Sequence, residues 1–277
     1  MRVLGCDVSH WEGAIDWDTA SLWIPFAYFK CSDGISFFDP QFEHNKVGCE
    51  ARGLPHAPYH YFQPDLDPVR QAEWFLKKAG VQYQRYIVDV EQVPQDGVSD
   101  VGKPLHDFLL SVESRIGKRC AIYTSAGFWN EHVHPKPAWA KNYELLVAHY
   151  TAEHQPLLPI GWSNWKIWQF TDNFYFPGCS SAADGNWFNG ALDHCRQWFG
   201  NFRQVEPPVF QATRLRSQFD GLRIRKSPNV FSKVLDHLAK GDTIQLDELG
   251  GVDVWVHHSK GWTAVERNGY RYMEIVK

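Results

Sequence analysis

The sequence predicts an α/β fold that forms a closed β/α barrel over the first 200 residues, followed by a second, small all-β barrel domain. Two observations lead to this prediction. Eight short apolar runs of β type are separated by helix-capable stretches up to about residue 200, and the chain then changes to short alternating strands with Gly, Asn and Asp at the turns. A chain of 277 residues with 44% apolar side chains is long enough for one large and one small core.

The eight predicted strands follow one another in the first 200 residues. They are RVLGCDVS, FAYFKCS, PHAPYHYF, RYIVDVE, CAIYTS, LLVAHYT, KIWQFT and the segment around 183–186. Strands that alternate with helices indicate parallel β/α units. The stretch after about residue 145 has short connections and little helix, so we expect an irregular barrel rather than a regular eightfold repeat.

Three segments are predicted to be helical, two of them between strands and one after the last strand. Asp67 is a good N-cap residue, Pro68 suits the first helical position, and apolar side chains follow at helical spacing. Residues 101–116 form a similar amphipathic stretch, and residues 188–199 are predicted as the closing helix.

The irregular segment after residue 200 contains the pair Pro207-Pro208, which favours extended chain. We therefore predict a large domain at 1–200, a linker at 201–212 and a small domain at 213–277.

Charge and composition exclude several classes of protein. Residues 1–207 carry 17 Lys and Arg against 24 Asp and Glu, while residues 208–277 carry 11 against 8, and neither part has the basic stripe expected of a nucleic-acid binder. No apolar run is long enough to span a membrane. The first residues, MRVLGCDVSHWEG, place an Asp where a signal peptide keeps apolar residues, so we expect export by another route or a chain that is already mature.

Cysteine and histidine spacing gives little support for a metal. The six cysteines all precede residue 200, several of them inside apolar runs, and we predict that they are reduced core residues. No C-x-x-C or H-E-x-x-H spacing occurs, and we expect neither a metal nor a cofactor. Thirteen Trp is a high number, which either large cores or sugar-stacking surfaces would explain.

Asp89 and Glu91 are the residues most suggestive of chemistry. They lie two apart in the apolar run RYIVDVEQ, so a strand would point both carboxyls to one side, about 7 Å apart along the chain. Asp7 ends the first predicted strand and Asp184 falls in the last, and closure of a barrel would make these two strands neighbours.

Crowded carboxylates can supply both a protonated and an ionised group, which is what glycosidic bond cleavage requires. A D-x-E pair alone is common by chance, and exposed acids at strand ends are usually solvated.

Further segments surround these acids in a fixed order: Gly5-Cys-Asp-Val-Ser-His-Trp-Glu-Gly13, Tyr28-Phe-Lys-Cys-Ser-Asp-Gly34, Phe37-Phe-Asp39, Ala57-Pro-Tyr-His-Tyr-Phe62, Asp89-Val-Glu91, Ile122-Tyr-Thr124, Val147-Ala-His-Tyr150, Ile167-Trp-Gln-Phe170 and Asp184-Gly-Asn186. In sequence and order they are similar to the signature of glycoside hydrolase family 25, the Chalaropsis-type lysozymes. The resemblance covers about residues 3–200. Glu12 and Asp33 depart from the family pattern, which usually has Gln or Asn and Glu there; both keep polarity.

The resemblance implies an irregular, flattened TIM-like β/α barrel that hydrolyses the β-1,4 bond between N-acetylmuramic acid and N-acetylglucosamine in bacterial peptidoglycan. Glu91 matches the family's general acid. Asp89 matches the group that orients the substrate's N-acetyl group or stabilises charge, and Asp7 and Asp184 match the other two acids of the cleft. Direct attack, inversion and assistance by the 2-acetamido group all stay open.

Five further side chains are predicted to bind substrate around the barrel mouth, with core packing as the alternative for each: Lys30, Tyr61, Tyr123, Tyr150 and Trp168. His10, Trp11, His60 and His149 are equally consistent with support or packing. Gln169 could support an acid by hydrogen bonding or simply face a neighbouring strand.

The small domain is similar to a bacterial SH3-type domain in Asp220-Gly-Leu-Arg-Ile-Arg-Lys-Ser-Pro228 and Gly261-Trp-Thr-Ala-Val265, with Arg223 in place of the usual Asn. The resemblance implies binding of wall peptide or polymer. The combined architecture predicts a phage endolysin that stays in the host cytoplasm until it is released to the wall. A bacterial autolysin, or a wall-binding protein without catalysis, are the alternatives.

Overall fold

The computed structural model describes residues 2–94, 100–200, 214–218, 220–226, 233–245, 248–250, 254–258, 260–267, 270–271 and 273–276. Two compact units make up the chain, Met1–Arg203 and Gln204–Lys277. The predicted linker, residues 201–212, lies outside the described residues.

The first unit contains nine strands and six α-helices among its described residues. The strands are β1 (Arg2–Val8), β2 (Ala27–Asp33), β3 (Phe37–Phe38), β4 (His56–Tyr61), β5 (Ile87–Asp89), β6 (Ala121–Ser125), β7 (Glu144–Ala148), β8 (Ile167–Phe174) and β9 (Ala183–Asn189). The helices are α1 (Trp17–Ala20), α2 (Phe42–Ala51), α3 (Pro68–Ala79), α4 (Gly102–Ile116), α5 (Ala126–His132) and α6 (Leu192–Phe199). Short 3₁₀ turns occupy His10–Glu12 and Ala140–Asn142.

Eight of these strands close into a barrel, which confirms that prediction. The order around the ring is β1, β2, β4, β5, β6, β7, β8 and β9, and β9 pairs with β1 to close it, while β3 pairs with β2 outside the ring. Neighbouring strands from β1 to β8 are parallel, whereas β9 is antiparallel to both β8 and β1. No helix lies between β7 and β9, so the barrel is irregular where the sequence predicted it to be.

Local sequence explains most helix bounds. Asp67 caps α3, because its side chain accepts hydrogen bonds from the backbone N–H groups of Val69 and Arg70 at 2.9 and 3.0 Å. The prediction of a helix over 188–199 is wrong at its start. Phe188 belongs to β9, where it pairs with Val3 and Ile167 and is buried, and the helix begins only at Leu192. Burial of this aromatic ring between two strands outweighs its place in a helix-like pattern.

The barrel is closed tightly enough to need a glycine. A Cβ on Gly5 in β1 would lie 2.4 Å from the ring of Phe26, which is fully buried. The six cysteines are all free, and five of them are buried, as predicted.

The described part of the second unit is all β. Its strands are β10 (Arg214–Ser217), β11 (Leu222–Arg225), β12 (Val234–Leu238), β13 (Thr243–Gln245), β14 (Glu248–Gly250), β15 (Val254–His258), β16 (Gly261–Arg267), β17 (Tyr270–Arg271) and β18 (Met273–Val276). They form a sheet in the order β13-β10-β18 and a second sheet in the order β12-β11-β16-β15-β14, with β17 paired to β16. None of the helices in the described parts of the chain is long and apolar enough to cross a membrane.

Candidate active site

A pocket of about 190 Å³ opens at one end of the barrel, where the parallel strands have their carboxyl ends. Five carboxyl side chains line it, together with aromatic and amide groups: Asp7, Glu12, Asp89, Glu91, Asp184, Trp11, Tyr28, Tyr59, Tyr61, Tyr123, Lys30 and Gln169, with Val8, Ser9 and Ile87. All four predicted catalytic acids are therefore in one pocket.

Strand closure brings Asp7 and Asp184 together. The two residues are register partners in the antiparallel pair of β1 and β9, near the end of β1 and near the start of β9. Because β9 runs opposite to its neighbours, its first residues lie at the same end of the barrel as the last residues of the parallel strands. The expectation that barrel closure makes these strands neighbours is confirmed.

Asp89 is the last residue of β5 and lies in register between Tyr61 of β4 and Tyr123 of β6. β5 ends at Asp89, so Glu91 lies just beyond the strand rather than in it. Both carboxyls line the pocket, so they do lie on one side, as the alternation predicted. The intervening Val90 is held by hydrogen bonds from its N–H to the Tyr123 carbonyl and from the Thr124 hydroxyl to its own carbonyl.

Asp7 is held by side-chain amides. Its Oδ2 accepts hydrogen bonds from Asn186 Nδ2 at 2.6 Å and from Gln169 Nε2 at 3.1 Å. Gln169 is itself buried, and its Oε1 accepts from the hydroxyls of Tyr123 and Tyr150, both at 2.8 Å. The interpretation that Gln169 supports an acid by hydrogen bonding is therefore the one the structure favours.

Asp7 and Asp184 are partners across the β1–β9 strand pair, and two carboxyls so close together disfavour the ionisation of both. Burial raises the pKa of Asp184 to about 9, with the negative charge of Asp7 as the next cause. Burial also raises the pKa of Asp7, but the hydrogen bonds from Asn186 and Gln169 oppose the rise. We therefore assign the proton of the pair to Asp184, because two amide donors favour the ionised form of Asp7.

Asp89 and Glu91 form a second group of carboxyls. Burial raises the pKa of Asp89 well above its usual value, and the charge of Glu91 adds to the rise. Burial, followed by the charge of Asp7, raises the pKa of Glu91. The ammonium of Lys30 opposes both shifts. Among the described residues, Asp89 Oδ1 is buried and has no hydrogen-bond partner, while the Asp89 side chain lines the pocket.

Three of the five predicted substrate-binding residues line the pocket, namely Lys30, Tyr61 and Tyr123. Tyr150 does not line it, but its hydroxyl reaches the pocket residue Gln169, and half of its side chain is exposed.

Trp168 does not lie at the pocket. It precedes Gln169 in β8, and since side chains alternate along a strand it faces the opposite side of the sheet. There its indole is buried and donates a hydrogen bond to the His149 carbonyl at 2.7 Å. Packing is thus the interpretation that the structure favours for this residue.

Of the four side chains for which support and packing were equally consistent, His60 is buried, whereas His149 is only partly buried. His60 is buried against Phe108 and bonded to the hydroxyl of Ser32 at 2.9 Å, and burial lowers its pKa to about 4, so it is neutral. His149 Nδ1 accepts a hydrogen bond from the Leu157 N–H.

Sequence reasoning missed Tyr28 and Tyr59, and it did not include Trp11 among the pocket residues. The two tyrosines follow the strand alternation that places Lys30 and Tyr61 at the mouth, which is a signal that could have found them. Both residues that depart from the family pattern have defined partners. Glu12 accepts a hydrogen bond from the Ser9 N–H at 2.6 Å, and Asp33 pairs with Lys30 at 3.3 Å.

Over the described ranges, no group of three or more His, Cys, Asp or Glu is placed to hold a metal ion. The pocket presents carboxyl groups in different protonation states beside one ammonium and several phenol hydroxyls, which are groups that can carry acid–base chemistry.

Comparison with known proteins gives a consistent result. The family model described as Glycosyl hydrolases family 25 matches residues 6–179. Lysozyme M1 of Streptomyces globisporus is 28% identical over 202 residues, covering 68% of this chain and 68% of that protein. The N,O-diacetylmuramidase of Chalaropsis sp. is 23% identical over 211 residues, covering 70% of this chain and 98% of that protein. The bacterial lysozyme from Streptomyces coelicolor has a crystal structure that superposes with a TM-score of 0.65 at 27% identity, covering 72% of this chain and 97% of the other.

Proposed function

Since this chain belongs to glycosyl hydrolase family 25, we propose that Glu91, Asp89, Asp7 and Asp184 carry out its reaction. The chain is a peptidoglycan hydrolase, an N-acetylmuramidase that cleaves the β-1,4 bond between N-acetylmuramic acid and N-acetylglucosamine. The family and the activity predicted from the sequence motifs are thereby confirmed. The observation that supports the residue assignment is the convergence of the four carboxyls in one pocket.

Glu91 is the proton donor in this proposal. Departure of the sugar oxygen requires a carboxyl that still holds its proton, and burial together with the charge of Asp7 raises the pKa of Glu91 in the direction that keeps it protonated. Its position beyond the end of β5 places it on the pocket wall, where a bound glycan is within its reach.

Asp89 orients the substrate or stabilises charge. Its carboxyl lines the pocket, where it can accept a hydrogen bond from the 2-acetamido N–H of the substrate. Asp7 supplies a fixed negative charge, which would favour the positive charge that develops at the anomeric carbon. In this proposal Asp184, the strand partner of Asp7, holds the proton of the pair and leaves the charge on Asp7.

Lys30, Tyr61, Tyr123 and Tyr150 bind the sugar in this proposal. The ammonium of Lys30 lies 4.6 Å from the centroid of the Tyr61 ring, so a charged donor and an aromatic face are presented side by side. Tyr150 acts through its exposed half at the rim.

The test is product analysis on purified peptidoglycan. The protein should create new reducing ends on N-acetylmuramic acid, and Glu91→Gln should abolish them while leaving the circular dichroism spectrum unchanged. Glu131→Gln is the matched control, because it makes the same Glu-to-Gln change at a side chain that is 77% exposed and outside the pocket. Reducing ends on N-acetylglucosamine would refute the muramidase assignment, and wall binding without soluble products would favour a protein that has lost catalysis.

For the second unit we propose an SH3-type wall-binding domain. Its described strands form two antiparallel sheets, and residues 208–277 carry 11 basic against 8 acidic residues, which suits an anionic wall. A wall-binding unit attached to a hydrolase raises the concentration of enzyme on an insoluble substrate. Removal of residues 208–277 should weaken sedimentation with walls and leave cleavage of soluble glycan intact. Equal sedimentation of the shortened protein would refute this role.

We propose lysis of a host cell wall by a phage endolysin as the biological role, with a bacterial autolysin as the alternative. In either case the site of action is outside the cytoplasmic membrane, because the peptidoglycan substrate lies there. Expression in a bacterial host with and without a membrane-permeabilising holin tests this role. Lysis only in the presence of the holin supports it, and equal lysis without the holin contradicts it.

A further inference from the structure

Trp11 is the most exposed large apolar side chain among the described residues, with 79% of its surface open to solvent. It also lines the pocket that contains the four carboxyls. Single exposed apolar residues are common on proteins, but an indole at the edge of a sugar pocket has a flat face that a pyranose ring can cover. The proposed catalytic groups leave this side chain without a role.

The backbone that carries Trp11 is firmly held. In the 3₁₀ turn His10–Glu12, the Ser9 hydroxyl accepts a hydrogen bond from the Trp11 N–H at 3.2 Å, and the Ser9 N–H donates to Glu12. Asp39, whose side chain is buried, accepts from the His10 backbone N–H at 3.0 Å and contacts the His10 ring nitrogen at 2.8 Å. The backbone of so fixed a turn loses little freedom when the side chain binds a ligand.

The aromatic surface extends beyond Trp11. The His10 ring lies 4.6 Å from the Trp11 ring and 5.4 Å from the Phe37 ring, measured between centroids. Phe37 is itself exposed, and the ammonium of Lys30 lies within 5.6 Å of its ring and 4.6 Å of the Tyr61 ring in the pocket. Trp11, His10 and Phe37, here called the rim strip, are thus continuous with the lining of the pocket.

The pocket is too small to enclose a glycan strand. A volume of about 190 Å³ is below the range of about 300–1,000 Å³ that is usual for ligand pockets. A glycan strand with its reacting bond beside Glu91 therefore has to continue over the protein surface, and the rim strip offers aromatic surface next to the pocket.

We propose that the rim strip binds a further saccharide of the glycan strand, outside the two sugars whose bond is cut, by stacking on the indole of Trp11. This inference rests on the proposed function, because it takes the pocket occupant to be a glycan. Continuity with the pocket identifies the ligand as more of the same strand rather than a separate partner. The strip is aromatic with one imidazole, which matches the C–H face of a sugar better than a charged peptide.

Binding of glycan fragments of different length tests the proposal. Peptide-free fragments of two, four and six sugars would be titrated by calorimetry into Glu91→Gln, which binds without turnover, and into the same protein carrying Trp11→Ala. Loss of one stacking contact should lower the affinity for the longer fragments by about tenfold and remove most of the gain in affinity with length. Trp11→Phe should recover part of that gain.

Tyr175→Ala is the matched control, because Tyr175 is 40% exposed and does not line the pocket, and it should change no affinity. A loss of equal size for all three fragments, or no loss for any, would overturn the proposal. A loss seen only with fragments that carry stem peptides would also overturn it and point to a peptide site. If the wild-type chain releases no reducing ends while the length-dependent loss persists, the proposed function fails and the glycan-binding strip stands.

Discussion

Substitution of Asp184 by Asn should stabilise the protein at neutral pH. In the folded state the pKa of Asp184 is about 9, against 3.8 for an unperturbed carboxyl. Below about pH 4 the carboxyl is protonated in both the folded and the unfolded chain, so it does not lower the free energy of unfolding. As the pH rises from about 4 towards 9, Asp184 ionises in the unfolded chain but not in the folded one, and the free energy of unfolding falls.

Between the unperturbed pKa and pH 7 there are about three pH units, each equivalent to about 1.4 kcal/mol, so the penalty at pH 7 is at most about 4 kcal/mol. The introduced asparagine has no proton to lose and is close to aspartic acid in size and shape. We therefore expect Asp184→Asn to raise the free energy of unfolding by up to about 4 kcal/mol at pH 7 and by little at pH 4.

Urea denaturation followed by circular dichroism, at pH 4 and pH 7, measures both values. Asp193→Asn is the control, since the Asp193 side chain is 81% exposed and the substitution makes the same change in charge. An equal effect of Asp184→Asn at the two pH values, or a loss of stability at pH 7, would refute the assignment of the shared proton to Asp184.

Three further predictions follow from single contacts. Gln169→Leu removes a hydrogen bond to Asp7 and leaves the buried hydroxyl of Tyr123 without its acceptor, so urea denaturation should show a free energy of unfolding lower by about 2–4 kcal/mol. Tyr150→Phe, at a half-exposed side chain, should lower it by under about 1 kcal/mol, and similar losses for the two variants would contradict this. Lys30→Met removes the cation that lowers the pKa of Glu91, so the alkaline limb of the kcat/KM profile should move to higher pH. Lys103→Met, at a side chain that is 79% exposed, should leave this limb in place. A shift to lower pH in Lys30→Met would exclude Glu91 as the proton donor. Gly5→Ala places a methyl group against Phe26 and should lower the free energy of unfolding by about 1–3 kcal/mol. Gly127→Ala, whose methyl group would have its nearest neighbour 3.9 Å away, should not lower it. Equal thermal midpoints for the two variants would show that the barrel can adjust at Gly5.

The sequence predicts the eight strands and the convergence of the acids because both depend on local patterns that the fold preserves. An apolar run followed by a carboxyl identifies a strand that ends at the barrel mouth, as at Asp7 and Asp89. The same patterns do not determine where pairing stops. β5 ends two residues before Glu91, and Phe188 belongs to a strand rather than a helix, because these bounds depend on neighbouring strands distant in sequence.

Side-chain direction explains two errors of the sequence-based prediction, which places Trp168 at the barrel mouth and does not place Trp11 there. Both are tryptophans close to motif residues, but Trp168 alternates with Gln169 on a strand, and a hydrogen bond of Gln169 to Asp7 fixes which of the two faces the pocket. Trp11 lies on a turn, for which no periodicity exists, and its position at the rim depends on the contacts of His10 with Asp39.

The antiparallel β9 is what makes the arrangement of acids possible. In a fully parallel barrel the first residues of the last strand would lie at the end of the barrel opposite the pocket. Asp184, the second residue of β9, would then be far from the pocket. Reversal of this single strand places Asp184 opposite Asp7. Two neighbouring carboxyls disfavour the ionisation of both, and the charge of Asp7 adds to burial, the larger cause, in raising the pKa of Glu91. The irregular part of the barrel therefore adds an acid to the pocket beside the residue whose charge acts on Glu91.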